Sequence, residues 1–267
     1  MAQNYYHLTA SLPELTFKPD SPAQVDVLEI RDSILEEVSS SDAIHVHETL
    51  SGIDNYNLLT QIFVKKRAWK RGGMLEADTA KETLPQYMQQ FIDQMEQYER
   101  EHGTKPDELQ ATQQLYELCH TAMEASKSPF VARWHKIERE IRNIQAAYFC
   151  RKSNIAADNH LIASDEMRES LLKSQAQDFG LSKEYDYVAE LVRIFEIADM
   201  LDREKRLDMF RWNIIDEINA FEYFTVDAAL GVLQKACIID RWTQMNSNDG
   251  EQHFRNIVKT LTEVSSD

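Results

Sequence analysis

The sequence predicts an all-α protein. Glycine and proline are scarce among its 267 residues, at seven and six, and no proline follows Pro129. Chains that avoid both residues over such a length are usually helical. Residues 128–153 also repeat apolar side chains at alternating steps of four and three, the spacing of one helix face. With 43% hydrophobic and 28% charged residues, the composition is that of a folded, soluble chain. We therefore predict an elongated bundle of about ten helices with essentially no sheet.

The helix predicted over residues 128–153 organises the rest of the chain. Ser128 can cap its start, and Pro129 occupies the first helical position, where a missing N–H costs nothing. Its apolar face is formed by Phe130, Trp134, Ile137, Ile141, Ile144 and Tyr148. Burying six such side chains contributes on the order of 10 kcal/mol. A helix this apolar needs partners on several sides, so we expect it to be central.

The other elements follow from caps and breakers along the chain. Residues 5–17 are apolar but short, and they favour a strand or an extended segment. Helices are predicted at 21–38, 42–50, 53–69, 83–103, 105–126, 164–177, 182–195, 201–224, 225–242 and from 251 to about 264. The two helices over 105–126 and 128–153 are joined by a short turn, which predicts an antiparallel pair.

The length fits one large domain or two small ones. We interpret residues 1–267 as a single helical body, with a subdivision after residue 127 as the alternative. The repeat described below also allows a body built from repeated helical units.

A formal net charge of −16 argues against several classes of partner. Nucleic acid and anionic membrane surfaces are repelled by such a chain. One segment is the exception, because it places five basic residues within seven positions: Lys65, Lys66, Arg67, Lys70 and Arg71. It is either a solvated helix end or a docking patch for an acidic protein surface.

Targeting features and cysteines both favour a cytoplasmic location. The start has no basic region followed by an apolar run, and no segment approaches 18 consecutive apolar residues. Cys119, Cys150 and Cys237 are far apart and lie within helical apolar patterns, so we interpret them as core residues. Any association with a membrane is then peripheral and made through protein partners, without direct insertion.

Phosphate loops and serine nucleophile elbows are absent, since the scattered glycines form no GxGxxG, GxxxxGK or GxSxG. The strongest enzyme alternative is a di-metal bundle, which uses paired Glu-x-x-His motifs. Glu99 with His102 and Glu117 with His120 match this spacing on helices predicted to be antiparallel. However, His102 directly precedes the helix-ending Gly103, whereas such sites lie in the middle of a bundle.

A second metal candidate is formed by His45, His47 and Glu48. On a strand both histidines would share a face and could bind zinc, but the sequence places no third ligand. His135 beside Trp134 is interpreted as a hydrogen-bonded partner inside the bundle rather than as a base. We predict no catalytic residue, no metal and no cofactor.

A pattern recurs along the chain. EIRNIQAAYFCRK (140–152) aligns with DNYNLLTQIFVKK (54–66): an acid three positions before an Asn, a Phe six after it and a closing basic pair. A weaker third copy, DEINAF (216–221), lacks the basic pair. The acid and Asn positions are Asp54 and Asn57, Glu140 and Asn143, and Asp216 and Asn219.

A helical Asn is unfavourable by propensity, so its recurrence suggests a local contact. The acid and the Asn could bond each other on one helix face, or the Asn could cap the backbone of a neighbouring segment. Arg151 and Lys152 close the second copy in a last helical turn, where cations suit the helix dipole, and they are also candidate partner contacts.

These motifs carry a resemblance to known families. The repeat at 54–66 and 140–152 resembles that of the C (or d) subunit of V/A-type ATPases. The start YYHLTASLPEL (5–15), with RWNIIDE (211–217) and IDRW (239–242), more closely resembles a bacterial domain-of-unknown-function family encoded among V-type ATPase genes. This second resemblance spans nearly the whole chain.

The resemblance implies a non-enzymatic role. In those ATPases the C (or d) subunit is an all-helical socket with threefold pseudo-repeats that sits on the membrane rotor ring and receives the central shaft. This chain is shorter, and its third copy lacks the basic pair. The resemblance thus predicts an accessory or central-stalk component of a V-type ATPase that contacts the shaft and the rotor ring. The alternatives are a helical scaffold or adaptor unrelated to the ATPase, or the di-metal enzyme.

Overall fold

The computed structural model describes residues 4–21, 25–63, 68–162 and 166–246. Within these ranges the regular structure is entirely helical, with eleven α-helices, two short 3₁₀ turns and no strand, which confirms the all-α prediction. The helices are α1 (Tyr6–Ser11), α2 (Val27–Glu37), α3 (Ser40–Thr49), α4 (Ser51–Phe63), α5 (Gln86–His102), α6 (Glu108–Glu124), α7 (Pro129–Lys152), α8 (Glu166–Lys173), α9 (Val188–Glu196), α10 (Met200–Ile218) and α11 (Val226–Asn246). None of the helices in these ranges has the length and apolar character needed to cross a membrane.

Helix α7 is the helix predicted around residues 128–153. The Ser128 hydroxyl accepts a hydrogen bond from the Val131 amide at 3.1 Å, and Pro129 is the first helical residue. Five of its six predicted apolar positions are buried, and Tyr148 is half-buried. The helix packs against α6, α8 and α9, so its central position is confirmed within its part of the fold.

Other helix ends also follow local chemistry. The Asp26 carboxylate accepts from the Leu28 amide at the start of α2, and the Asp107 carboxylate accepts from the Gln110 amide at the start of α6. Gly103 ends α5 in the left-handed conformation, at φ +71°, which a residue without a side chain adopts at no steric cost.

Several predicted elements differ from the structure, among them the helix predicted over residues 182–195, which begins only at Val188 in α9. Residues 6–11 form helix α1 rather than a strand, because contacts of α1 with α2 and α11 stabilise a helix too short to persist alone. Helix α2 begins after Asp26 rather than near Ser21. Helix α10 ends at Ile218, so Phe221 lies in a turn rather than on a helix face. The predicted helix start at residue 164 and the final helix to about residue 264 lie outside the described residues.

The chain forms two compact units. One comprises residues 1–46 and 208–267, and the other comprises residues 47–207. The sequence-based subdivision divides the chain once, after residue 127, whereas in these units the two chain ends belong together. The physical reason is long-range packing, since α2 and α1 both contact α11. The second unit is built by contacts of α6 with α4, α5 and α7, and of α7 with α8 and α9.

Candidate functional site

The repeated asparagines each hold the backbone of a later segment. Asn57, in α4, donates from Nδ2 to the Lys70 carbonyl at 3.0 Å and accepts from the Lys70 amide through Oδ1 at 2.8 Å. We call this arrangement, in which one Asn side chain bonds both backbone groups of a single residue, an asparagine clamp. It ties the segment after α4 to the helix itself.

Asn143, in α7, forms the second asparagine clamp. Its Nδ2 donates to the Ile162 carbonyl at 3.0 Å, and its Oδ1 accepts from the Ile162 amide at 2.8 Å. The side chain is almost completely buried, at 1% exposure. The two strong copies of the sequence repeat therefore share one geometry, which is the backbone contact that a helical Asn suggested.

The third copy keeps only part of this geometry. Asn219 Nδ2 donates to the Asp227 carbonyl at 3.0 Å, while its buried Oδ1 has no hydrogen-bond partner among the described residues. The Asp216 carboxylate pairs with the Lys235 ammonium. The copy that is weakest in sequence is thus also incomplete in its contacts.

The acids of the two strong copies hold further parts of the chain. Asp54 Oδ1 accepts from the amides of Met74 at 2.8 Å and Leu75 at 2.9 Å. Glu140 accepts a hydrogen bond from the Tyr187 hydroxyl. Burial raises the pKa of the Glu140 carboxyl, while this hydrogen bond opposes the rise. Both acids thus serve folding contacts.

Close approach to these side chains requires glycine at two positions. A Cβ on Gly73 would lie 2.2 Å from Asp54 Oδ1, and a Cβ on Gly231 would lie 2.0 Å from Asn219 Nδ2. Both distances are far below van der Waals contact. The sequence pattern alone did not mark either glycine as part of the repeat.

The predicted partner-binding residues divide into three groups. Lys65, Lys66 and Arg67 lie outside the described residues. Lys70 and Arg71 are exposed, and the Lys70 ammonium lies 4.2 Å from the centroid of the Tyr56 ring.

The third group is the pair Arg151 and Lys152, whose two members have different environments. The Arg151 guanidinium donates to the carbonyls of Ser174 and Ala176, both at 2.7 Å, and lies 3.9 Å from the centroid of the Phe179 ring. Its contacts stabilise the segment that follows α8. Lys152 is also exposed, at the end of α7.

The metal candidates are not brought together. His102 is exposed, stacks on Tyr98 and has Nδ1 3.0 Å from the Tyr98 carbonyl of its own helix. His45, His47 and Glu48 lie on helix α3 rather than on a strand, so the two histidines point about 200° apart around the helix. Over the described ranges, no group of three or more His, Cys, Asp or Glu side chains is arranged to hold a metal ion.

A buried polar network joins α4, α5, α6 and α7. The Tyr87 hydroxyl donates to Asn55 Oδ1 at 2.9 Å. The Ser51 hydroxyl lies 3.4 Å from His135 Nε2 and 3.6 Å from the Cys119 sulfur. His135, expected to be a hydrogen-bonded partner, has this role, and Cys119 is a core residue as predicted.

Two histidines in this region are held neutral by their surroundings. The rings of His120 and His135 lie with centroids 5.5 Å apart. Burial lowers the pKa of His120 to about 3, helped by repulsion from His135, Arg142 and Arg139. Burial lowers the pKa of His135 to about 4. Neither can carry charge at neutral pH, which fits a core role rather than acid–base chemistry.

The sequence-based prediction missed one surface feature. The helix predicted over residues 201–224 includes Phe221, but this ring is 88% exposed in the turn after α10. The available signal was the local concentration of aromatic residues, FEYF at 221–224, directly before the start of a helix.

The chain was compared with known families, curated proteins and solved structures. The family described as "Protein of unknown function (DUF2764)" matches residues 1–265. No curated protein and no solved structure matches this chain.

Proposed function

This chain belongs to the DUF2764 family, and we propose that it is a non-catalytic central-stalk or accessory component of a V-type ATPase. In this role it is a socket, similar to the C (or d) subunit, that links the rotor shaft to the membrane ring. It works mechanically, without a nucleotide or metal, and lies in the cytoplasm, peripheral to the membrane through its protein partners. The observation that carries the proposal is the pair of asparagine clamps, because they occupy the repeat positions on which the resemblance to the C (or d) subunit rests.

A socket has to transmit force through its connecting segments as well as through its helices. Asn57 and Asn143 each supply two hydrogen bonds that fix a non-helical segment to a helix. Asp54 adds two more to the amides of residues 74 and 75. Segments tied in this way resist displacement more than loops held only by their ends.

Helix packing supports the same role. Helix α7 is 24 residues long and packs on α6, which in turn packs on α4 and α5. Because the Ser51–His135 contact and the Tyr87–Asn55 hydrogen bond cross between these helices in the buried interior, the helices are held in register. A tightly packed set of helices such as this one, within the unit 47–207, is suited to bearing load between partners.

The basic segment is the candidate partner surface. In a chain of net charge −16, five basic residues between 65 and 71 are a local reversal of charge. Such a reversal selects an acidic protein surface and repels basic ones. Lys70 and Arg71 are exposed at its described end, and Lys152 is a second exposed candidate.

The first experiment is an affinity pull-down of the tagged protein from gently solubilised native membranes, read by mass spectrometry. We expect recovery of the catalytic, shaft and ring subunits of the V-type ATPase. Recovery of none, with the ATPase intact in the same lysate, contradicts the proposal. Metal analysis of the purified protein then tests the enzyme alternative, which requires a stoichiometric metal.

The second experiment tests the basic segment. The triple variant Lys65→Glu, Lys66→Glu, Arg67→Glu is expected to recover at least about tenfold less ATPase, a loss of roughly 1.4 kcal/mol in binding. The matched control makes the same change of charge at three exposed residues elsewhere: Lys127→Glu, Arg133→Glu and Lys183→Glu. Equal recovery by both variants would remove the basic segment from the interface and leave the stalk role standing.

A further inference from the structure

The turn between α10 and α11 presents aromatic rings to solvent. Phe221, Tyr223 and Phe224 are 88%, 66% and 44% exposed. Tyr6 of α1 is 58% exposed, and its ring centroid lies 4.5 Å from that of Phe224. We call these four residues the aromatic turn. Single exposed apolar residues are common, but adjacent exposed aromatic rings mark interaction sites.

The backbone that carries these rings is held in place. Asn219 donates to the Asp227 carbonyl at 3.0 Å, and the Glu222 amide donates to the Asn219 carbonyl at 3.0 Å. The Tyr5 amide donates to the Phe224 carbonyl at 2.6 Å, which ties the turn to α1.

A side-chain contact adds to these backbone bonds, since the Thr225 hydroxyl donates to the Glu222 carboxylate at 2.7 Å. The rings are therefore displayed by an ordered turn, and a partner need not order it on binding. Rigid aromatic side chains of this kind are frequent binding hot spots.

The charge around the turn selects the partner. Between Arg211 and Lys235 the chain contains four acids and no basic residue: Asp216, Glu217, Glu222 and Asp227. Asp216 is paired with Lys235, and Asp227 is buried. Glu217 is exposed and Glu222 is half-buried, and in the described part of the chain neither carboxylate forms an ion pair, so no basic side chain compensates their negative charge.

The same charges disfavour other occupants. A second copy of this chain would bring another net charge of −16 to the surface. An anionic lipid surface is repelled for the same reason. An apolar pocket rimmed by Lys or Arg is complementary both to the rings and to the uncompensated glutamates.

We propose that the aromatic turn is a docking surface for a basic protein segment, with Phe221 and Tyr223 in an apolar pocket and Glu217 and Glu222 facing Lys or Arg at its rim. This surface is distinct from the basic segment at 65–71 and selects a partner of the opposite charge. This proposal does not depend on the ATPase assignment, because it requires only that the partner is basic, whether or not that partner belongs to an ATPase.

The test is photo-cross-linking in cells with p-benzoylphenylalanine at position 221 of the full chain. The control places the same probe at Leu109, which is 54% exposed on α6. We expect position 221 alone to give a discrete adduct, which maps to a partner peptide with apolar residues flanked by Lys or Arg. No adduct, the same adduct from position 109, or an adduct to lipid, to a second copy or within the same chain would overturn the proposal.

The partner identified by cross-linking is then purified, and its affinity for variants of the full chain measures the contribution of the aromatic turn to binding. The variant Phe221→Ser, Tyr223→Ser is expected to bind at least about tenfold more weakly, with an unchanged melting temperature because both rings are exposed. Glu217→Lys with Glu222→Lys should slow association and reduce its salt dependence. Affinity within about twofold of the original in both variants would contradict the proposal, and Leu109→Ser serves as the control.

Discussion

Asn143 shows how one helical side chain can specify a contact 19 residues away. The primary amide has one acceptor and one donor group, which match the N–H and C=O of a single backbone residue. Asn57 repeats the match at Lys70. Asn is a poor residue for a helix interior, and at both positions the pair of backbone hydrogen bonds offsets that cost.

Replacing Asn143 with Ala should therefore destabilise the protein. Two hydrogen bonds are lost, and the buried amide and carbonyl of Ile162 are left without partners, so we expect the free energy of unfolding to fall by about 2–4 kcal/mol. Urea denaturation measures this change. The matched control is Asn213→Ala, at an exposed position of α10, which should raise stability by roughly 0.5 kcal/mol. Equal changes in the two variants would show that the clamp does not contribute.

Helix α4 illustrates how an element depends on the segment that packs against it. Its Asp54 carboxylate accepts two backbone amides from residues 74 and 75, and Gly73 is the residue that lets this backbone come close. The same helix contains Gly52, which is exposed and has nothing within 4 Å of the position a Cβ would occupy. The two glycines therefore have opposite roles.

Alanine substitutions at the two glycines should change the free energy of unfolding in opposite directions. Gly73→Ala places a methyl group 2.2 Å from Asp54 Oδ1, so the segment must shift and the free energy of unfolding should fall by about 2 kcal/mol. Gly52→Ala adds a better helix former in open space, so the free energy of unfolding should rise by about 0.5–1 kcal/mol. Thermal denaturation of both variants tests this. A melting temperature for Gly73→Ala at or above that of the original protein would contradict the close approach.

At the level of the complete molecule, buried histidines make stability depend on pH. His120 and His135 have folded pKa values of about 3 and 4, against about 6.5 in the unfolded chain. Below pH 6.5 the unfolded chain binds protons at these residues that the folded chain does not. The unfolded state is thereby favoured as pH falls, until pH 4 for His135 and pH 3 for His120.

We therefore expect the urea midpoint to fall between pH 7 and pH 5. Each histidine contributes a slope of up to about 1.4 kcal/mol per pH unit below its unfolded pKa. The double variant His120→Gln, His135→Gln should lose this part of the pH dependence, whatever its absolute stability. His102→Gln, at an exposed position, should keep it. An unchanged pH slope in the double variant would show that folding does not lower the pKa of these two histidines.

Much of the helical structure was predictable because its causes are local. Ser128, Asp107 and Gly103 end or begin helices through hydrogen bonds and backbone angles within a few residues. The spacing of the apolar residues in α7 likewise predicts that they share one buried helix face. The repeat indicated that Asn57 and Asn143 make backbone contacts, although not which residues they hold.

The sequence by itself thus determined the all-α class, the central helix and the matching repeat positions of Asn57 and Asn143. Tertiary structure alone decided that residues 6–11 are helical, that the two chain ends join in one unit and that Lys70 and Ile162 are the clamped residues. It also decided that Phe221 faces solvent. The physical reason is range: caps and periodicity act within a few residues, whereas these features depend on packing between segments far apart in the chain.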